Sequence, residues 1–150
     1  MTSSINAYGT KGTTLQIAIA TVDTPIAQVA EIKPPSAKVM TEKVQPLEAD
    51  HPEPYSVGTV ENSDCTFKVW LDPLNDVHEY VLSITNDPTH DSFGDLHTFT
   101  HTWTQIATVD PWIFTGVPVS FEITEEVNAL IKGDCTVEVA ESTQLPLETS

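Results

Sequence analysis

The stretch from Phe67 to Ile84, FKVWLDPLNDVHEYVLSI, restricts the possible folds more than any other part of the chain. Phe67, Val69 and Leu71 alternate with Lys68, Trp70 and Asp72, the period of a strand with one buried face. Asp72 suits a helix N-cap, since its carboxylate can accept from the free N–H groups of a first turn, and Pro73 suits the first helical position. Leu74, Val77, Val81 and Ile84 then recur at three- and four-residue spacings, which predicts one packing face of a helix. Asn86-Asp87-Pro88 ends it, because a residue before proline avoids the α region.

The rest of the chain reads as strands and turns. Leu15, Ile17 and Ile19 alternate within a strand from Thr14 to Thr21, and Asp23-Thr24-Pro25 turns the chain. Ile26 to Ile32 predicts a second strand, stopped by Pro34-Pro35. Residues 36 to 58 have only isolated apolar positions, Val39, Val44 and Leu47, and predict a long loop in which Val39 to Val44 can extend as an arm. Leu96 to Ile106 predicts a threonine-rich strand with His97, Phe99, His101 and Trp103 on one face. In Trp112 to Ile123 the apolar parity switches at Gly116, from Trp112 and Phe114 to Val117, Val119, Phe121 and Ile123, as at a β-bulge. Thr124 to Lys132 has the spacing of a short helix with Gly133 as its stop, and Thr136 to Ala140 predicts a last strand. A single domain of 150 residues is expected, with a flexible arm over residues 1–12 and a loose tail over 142–150. The expected fold is mainly β: a sandwich or small barrel with one flanking helix and a long loop after the second strand.

Charge narrows the function. Six lysines face 22 acids, for a net charge of −16, and there is no arginine. A protein that grips phosphates normally carries a basic patch with arginine forks, so specific nucleic-acid binding is not expected, whereas an acidic wall would repel DNA. Cys65 and Cys135 lie in predicted strands outside any Cys-x-x-Cys motif; free buried thiols and a disulfide are both open readings, the first better supported. The start of the chain lacks the basic and apolar regions of a signal peptide, and no apolar run is long enough to span a membrane.

No catalytic constellation emerges. His97 and His101 on one strand would stand roughly 13 Å apart, too far to share a metal ion. Glu125-Glu126 reads as acids at a helix start rather than as a catalytic pair. There is no Gly-x-Ser-x-Gly elbow and no phosphate-binding glycine loop. Trp70, Trp103 and Trp112 fit core or interface positions better than a sugar platform. No enzyme, cofactor or metal is expected.

The order of elements resembles the tail tube, or major tail, proteins of long-tailed bacteriophages. The features that carry it are the strand ending in Asp72-Pro73 before a single amphipathic helix, a strand ending near Trp103, the segment Phe114-Thr-Gly-Val-Pro-Val-Ser-Phe-Glu122, and Asp23-Thr-Pro-Ile-Ala-Gln-Val-Ala-Glu-Ile32 before a proline and a long acidic loop. The resemblance covers roughly Thr14 to Glu141. Val117-Pro-Val119 departs from it, because a proline cannot donate to a strand ladder. The resemblance implies a structural virion protein, made in the host bacterial cytoplasm, that forms rings of six stacked into a tube. DNA would pass through the tube without specific binding. It implies partners of its own kind and other tail proteins, such as tape measure, terminator and distal tail components. It also implies a long loop reaching a neighbour through Val39, Val44 and Leu47, and Glu31, Glu42 and Glu122 as acids facing the lumen. Two other readings are a different tail ring component, of terminator or hub type, and a carbohydrate-binding β-sandwich.

Overall fold

A computed structural model describes residues 13–44, 53–106 and 108–148, with the side chains of 41–44 and 53–59 excepted. The expected N-terminal arm and Leu47 lie outside the described residues, as do the side chains of Glu42 and Val44.

Seven strands form one antiparallel sheet. Its strands are β1 (Thr14–Ile19), β2 (Val22–Pro25), β3 (Val29–Lys33), β6 (Cys65–Trp70), β7 (His97–Thr102), β8 (Trp112–Thr124) and β9 (Lys132–Gln144), in the order β2-β1-β7-β8-β9-β6-β3. Among the described residues, β4 (Ala37–Val44) and β5 (Glu53–Asn62) pair only with each other. The fold is mainly β, with one helix, α1 (Asp76–Asn86), among the described residues. The sheet rolls until its last strand returns towards its first, so that Val29 to Ile32 of β3 share a cleft with Thr13, His101 and Trp103.

The inner face of the roll is the core. Leu15, Ile17, Phe67, Val69, Phe99, Phe114 and Val137 are fully buried in it, and the Phe99 and Phe114 rings stack with centroids 5.5 Å apart. α1 closes the roll with Val77, Val81 and Ile84, all buried, packing over β8. Cys65 and Cys135 are buried free thiols, and burial pushes both up to about 12.

The helix begins one turn later than the sequence predicts. Asp72 instead builds a turn, its Oδ1 accepting from Leu74 N–H at 3.0 Å, as Asp before proline favours. Asn75 is the cap and accepts from the N–H groups of Val77 and His78. Leu74, expected on the packing face, therefore lies in the turn and is 88% exposed. His78 anchors the helix start: its Nδ1 accepts from Asp72 N–H, and its Nε2–H donates to Ala27 O at 2.6 Å.

Other predicted elements change as well. β1 ends in a two-residue turn at Ala20-Thr21, with Ile19 opposite Val22, so β2 follows where a turn was expected. Both turn residues have positive φ, 49° and 68°, which matches the twist of a type I′ turn but strains a β-branched side chain. The helix expected from Thr124 to Lys132 is absent; the segment turns tightly between β8 and β9, with Asn128 at φ 64° and Val127 and Leu130 exposed. Gly133 lies within β9 beneath the Phe121 ring, where a Cβ would collide with it. The irregularity expected at Gly116 is present, but three register shifts share the β8–β9 ladder. The buried parity holds through Pro118 and changes only at the bulge before Ser120. Val119 therefore points outwards, whereas Ile123 shares the side of Phe121, opposite Gly133, and is exposed because the strand there runs beyond the core. Pro118 is tolerated because β7 pairs with β8 only as far as Gly116. The expected loose tail is tied down as far as Glu148, which bridges to Val109, while Leu147 O accepts from Asp110 N–H.

Candidate functional site

One exposed apolar feature is the hairpin that takes the place of the predicted loop. β3 continues into β4 through Pro34-Pro35-Ser36, and β5 continues into β6 through Ser63-Asp64, so the hairpin extends the β3–β6 ribbon. The junction is clamped on both sides. Ser63 N–H donates to Ser36 O at 2.7 Å, Ser36 N–H donates to Ser63 Oγ, and Asn62 Nδ2 donates to Ala140 O at 3.1 Å. Ala140 is the extra residue of a β9 bulge, whose carbonyl is turned out of the ladder and so can be reached. Beyond the clamp the apolar side chains that are described lie in the open. Val39 and Val60 face each other across the strands at 53% and 59% exposure, and Met40 is also exposed. An exposed two-stranded ribbon with an apolar pair is marginal alone and is a natural template for contact with another chain.

The second feature is the outward face of β3, β6, β9 and β8. Glu31 stands opposite Lys68, Lys68 opposite Asp134, and Asp134 opposite Glu122, forming one rung across four strands. Lys68 Nζ lies 3.9 Å from Glu31 Oε2, an exposed pair of small energetic weight. Two of the acids singled out from sequence, Glu31 and Glu122, thus share a face and a rung. The neighbouring rungs carry Lys33, Thr66, Thr136 and Ser120 on one side and Trp70, Lys132 and Thr124 on the other. Lys132 Nζ sits 5.3 Å from the Trp70 ring centre. This face is mainly hydrophilic, with Trp70 and Val117 as apolar exceptions. Its lysines come close to balancing its acids, unlike the chain as a whole, which was not legible from net charge.

The remaining chemistry-bearing residues have structural surroundings. His97 donates through Nδ1–H to Asp95 O and accepts at Nε2 from the Tyr80 hydroxyl at 2.8 Å. Trp112 donates to Ser142 Oγ. Glu125 and Glu126 are exposed in the β8–β9 turn. No group of three or more His, Cys, Asp and Glu among the described residues is placed to hold a metal ion. No helix among them is long and apolar enough to cross a membrane.

No protein-family model matches the sequence, and no curated protein matches it. The fold does have counterparts among solved structures. One is a chain from the tail of an empty GTA particle determined with C6 symmetry (TM-score 0.70, 14% identity), covering 96% of this chain and all of that one. Another is a chain from the baseplate of the anti-feeding prophage (TM-score 0.73, 8% identity), covering 98% of this chain and all of that one. A third comes from the virion of a native gene transfer agent (TM-score 0.60, 17% identity), covering 87% and 95%. At these identities the likeness is one of fold, and it extends over nearly the whole length of each chain.

Proposed function

We propose that the protein is a structural component of a phage-type tail, and that its role is the tail tube: rings, six copies in each, stacked around a bore through which DNA leaves. The observation that carries this reading is the near full-length fold likeness to chains from a sixfold-symmetric tail and a sixfold baseplate. Two features of the chain support it. The clamped β4–β5 hairpin presents Val39, Met40 and Val60 to a neighbour rather than to its own core. The outward face of β3-β6-β9-β8 offers a polar wall free of arginine, suited to a surface that DNA passes without adhering.

In this reading Val39, with Val44 and Leu47, anchors the hairpin on another subunit, and Glu31, Glu42 and Glu122 face the bore. The chain acts without catalysis or cofactor, in the virion tail, beside other tail proteins. A net charge of −16 on each copy makes assembly depend on screening, so tubes form more readily as salt or divalent cation rises. The likeness to a baseplate chain favours a second reading, a tail ring that does not polymerise. Negative-stain electron microscopy of the purified chain separates the two. Filaments of stacked rings support the tube, isolated rings support the second reading, and monomers at all salt concentrations contradict both.

A further inference from the structure

His101 is 5% exposed, and both of its ring nitrogens lack a hydrogen-bond partner among the described residues. Buried polar atoms are rarely left so, because an unmade bond costs about 1–3 kcal/mol. Burial also holds this imidazole below its ordinary value of 6.5, so at neutral pH it is uncharged, with one nitrogen able to donate and the other to accept. His78 and His97, also buried, each have both nitrogens engaged.

His101 lines a cleft of about 430 Å³, with Thr13, Val29, Ala30, Glu31, Ile32, Pro34 and Trp103 as the other walls. The Trp103 ring meets the imidazole edge to face at 5.8 Å. The wall formed by β3 identifies the ligand. The cleft separates Val29 to Ile32, a run that includes the bulge at Ala30, from Thr13, His101 and Trp103 on the β1–β7 side of the roll, and so lies along the outer edge of β3. β3 is the last strand of the sheet, and its outer edge pairs with no other described strand. An open strand edge, a buried donor–acceptor ring and an aromatic wall together match an extended polypeptide. A polyanion is disfavoured by Glu31 on the wall and by the net charge of the chain.

We propose that this cleft receives an extended segment of a second copy of the chain, which adds along the edge of β3 and satisfies His101. The proposal rests on the self-assembling role argued above. Glu31, whose carboxylate pairs with Lys68 on the outward face, is the charged residue on the cleft wall. The contact joins unlike surfaces, a concave seat and an inserted strand, and so has the heterologous geometry that builds rings or filaments.

The test is His101→Phe, which keeps a flat ring and removes both nitrogens. The free chain melts at the same temperature or higher, because an orphaned polar group has gone, while the concentration needed for assembly rises tenfold or more. Unchanged assembly overturns the proposal. If the variant does not fold, hydrogen exchange on the unaltered chain decides: the amides of Ala30, Glu31 and Ile32 slow at least tenfold on assembly. Assemblies in which they exchange as in the monomer refute the cleft while leaving the tail role standing. A chain that never assembles refutes both. Protection already complete in the monomer, and lost when residues 1–12 are removed, assigns the seat to the chain's own N-terminus and likewise overturns the proposal.

Discussion

The unit from Cys65 to Asn86 and the hairpin from Ala37 to Asn62 are neighbours in the chain, and they are held in opposite ways. In the first, Phe67, Val69, Val81 and Ile84 are buried, and His78 bonds both the turn before the helix and the loop before β3. In the second, the apolar pair Val39–Val60 lies in the open, and the described fastening is at the base, through Ser36, Ser63 and Asn62. At roughly 25 cal/mol per Å² the first region gains most of what its burial can supply, while the second leaves that gain unused until something covers it. The contrast separates residues that make the fold from residues that can make contacts.

Substitutions that break the buried region have the largest effects. Val81 is 2% exposed, and Val81→Asp places a carboxylate with no partner in the core, a change of about 4 kcal/mol or more. We expect insoluble or unfolded protein by circular dichroism; an unchanged melting temperature would show that the helix does not depend on this face. Gly116→Ala comes next. A Cβ there meets the backbone carbonyl of Glu138 at 2.6 Å and Val137 Cγ1 at 2.7 Å, and a ladder can move aside little, so a loss of about 1–3 kcal/mol is expected in denaturant titration.

The core around that region sets the response to pH. Because burial lowers His101, the folded chain takes up its proton only below the pH at which the unfolded chain does, so stability falls as pH drops below about 6.5. Cys65 and Cys135 are raised from 9.0 to about 12 in the folded chain, so the unfolded chain releases these protons first, and stability falls as pH rises past about 9. Melting temperatures measured from pH 5 to 10 should form a plateau between these limits. His101→Phe reduces the acid slope, and Cys65→Ala with Cys135→Ala reduces the alkaline one; slopes that all three substitutions leave unaltered would place the titration elsewhere.

The smallest effect on the free chain belongs to the hairpin. Val39→Asp should change monomer stability by less than about 0.5 kcal/mol, as surface substitutions do. Assembly should nevertheless be lost, seen as monomer in sedimentation where the unaltered chain sediments as a large species. A destabilised monomer would make the hairpin part of the chain's own core.

The two regions also differ in how plainly the sequence shows them. The strand and helix between Cys65 and Asn86 are legible because a buried face imposes a period, and only the cap is misread, since Asp72 and Asn75 compete for that role and Asn75 lies nearer the helical run. Of the hairpin only the extended arm from Val39 to Val44 is legible, as β4; its pairing with β5 is not, because exposed apolar residues such as Val39 and Val60 need no period. Ala20-Thr21 hides a turn because neither residue is a usual occupant of positive φ. Thr124 to Lys132 has helical spacing but no surface to bury Val127 and Leu130 against, and spacing alone does not hold a helix. The rung of Glu31, Lys68, Asp134 and Glu122 needs the registers of three strand pairs, which no local pattern contains.

The comparison between the two regions is tested most directly by hydrogen exchange on the same chain, free and assembled. The amides of β6 and α1 should be protected equally in both states. Those of β4 and β5 should exchange quickly in the free chain, from Ala37 to Val44 and from Glu53 to Asn62, and slow by at least tenfold on assembly. Equal protection of the hairpin in both states would contradict the account, because a ribbon already covered in the monomer has nothing left to offer a neighbour.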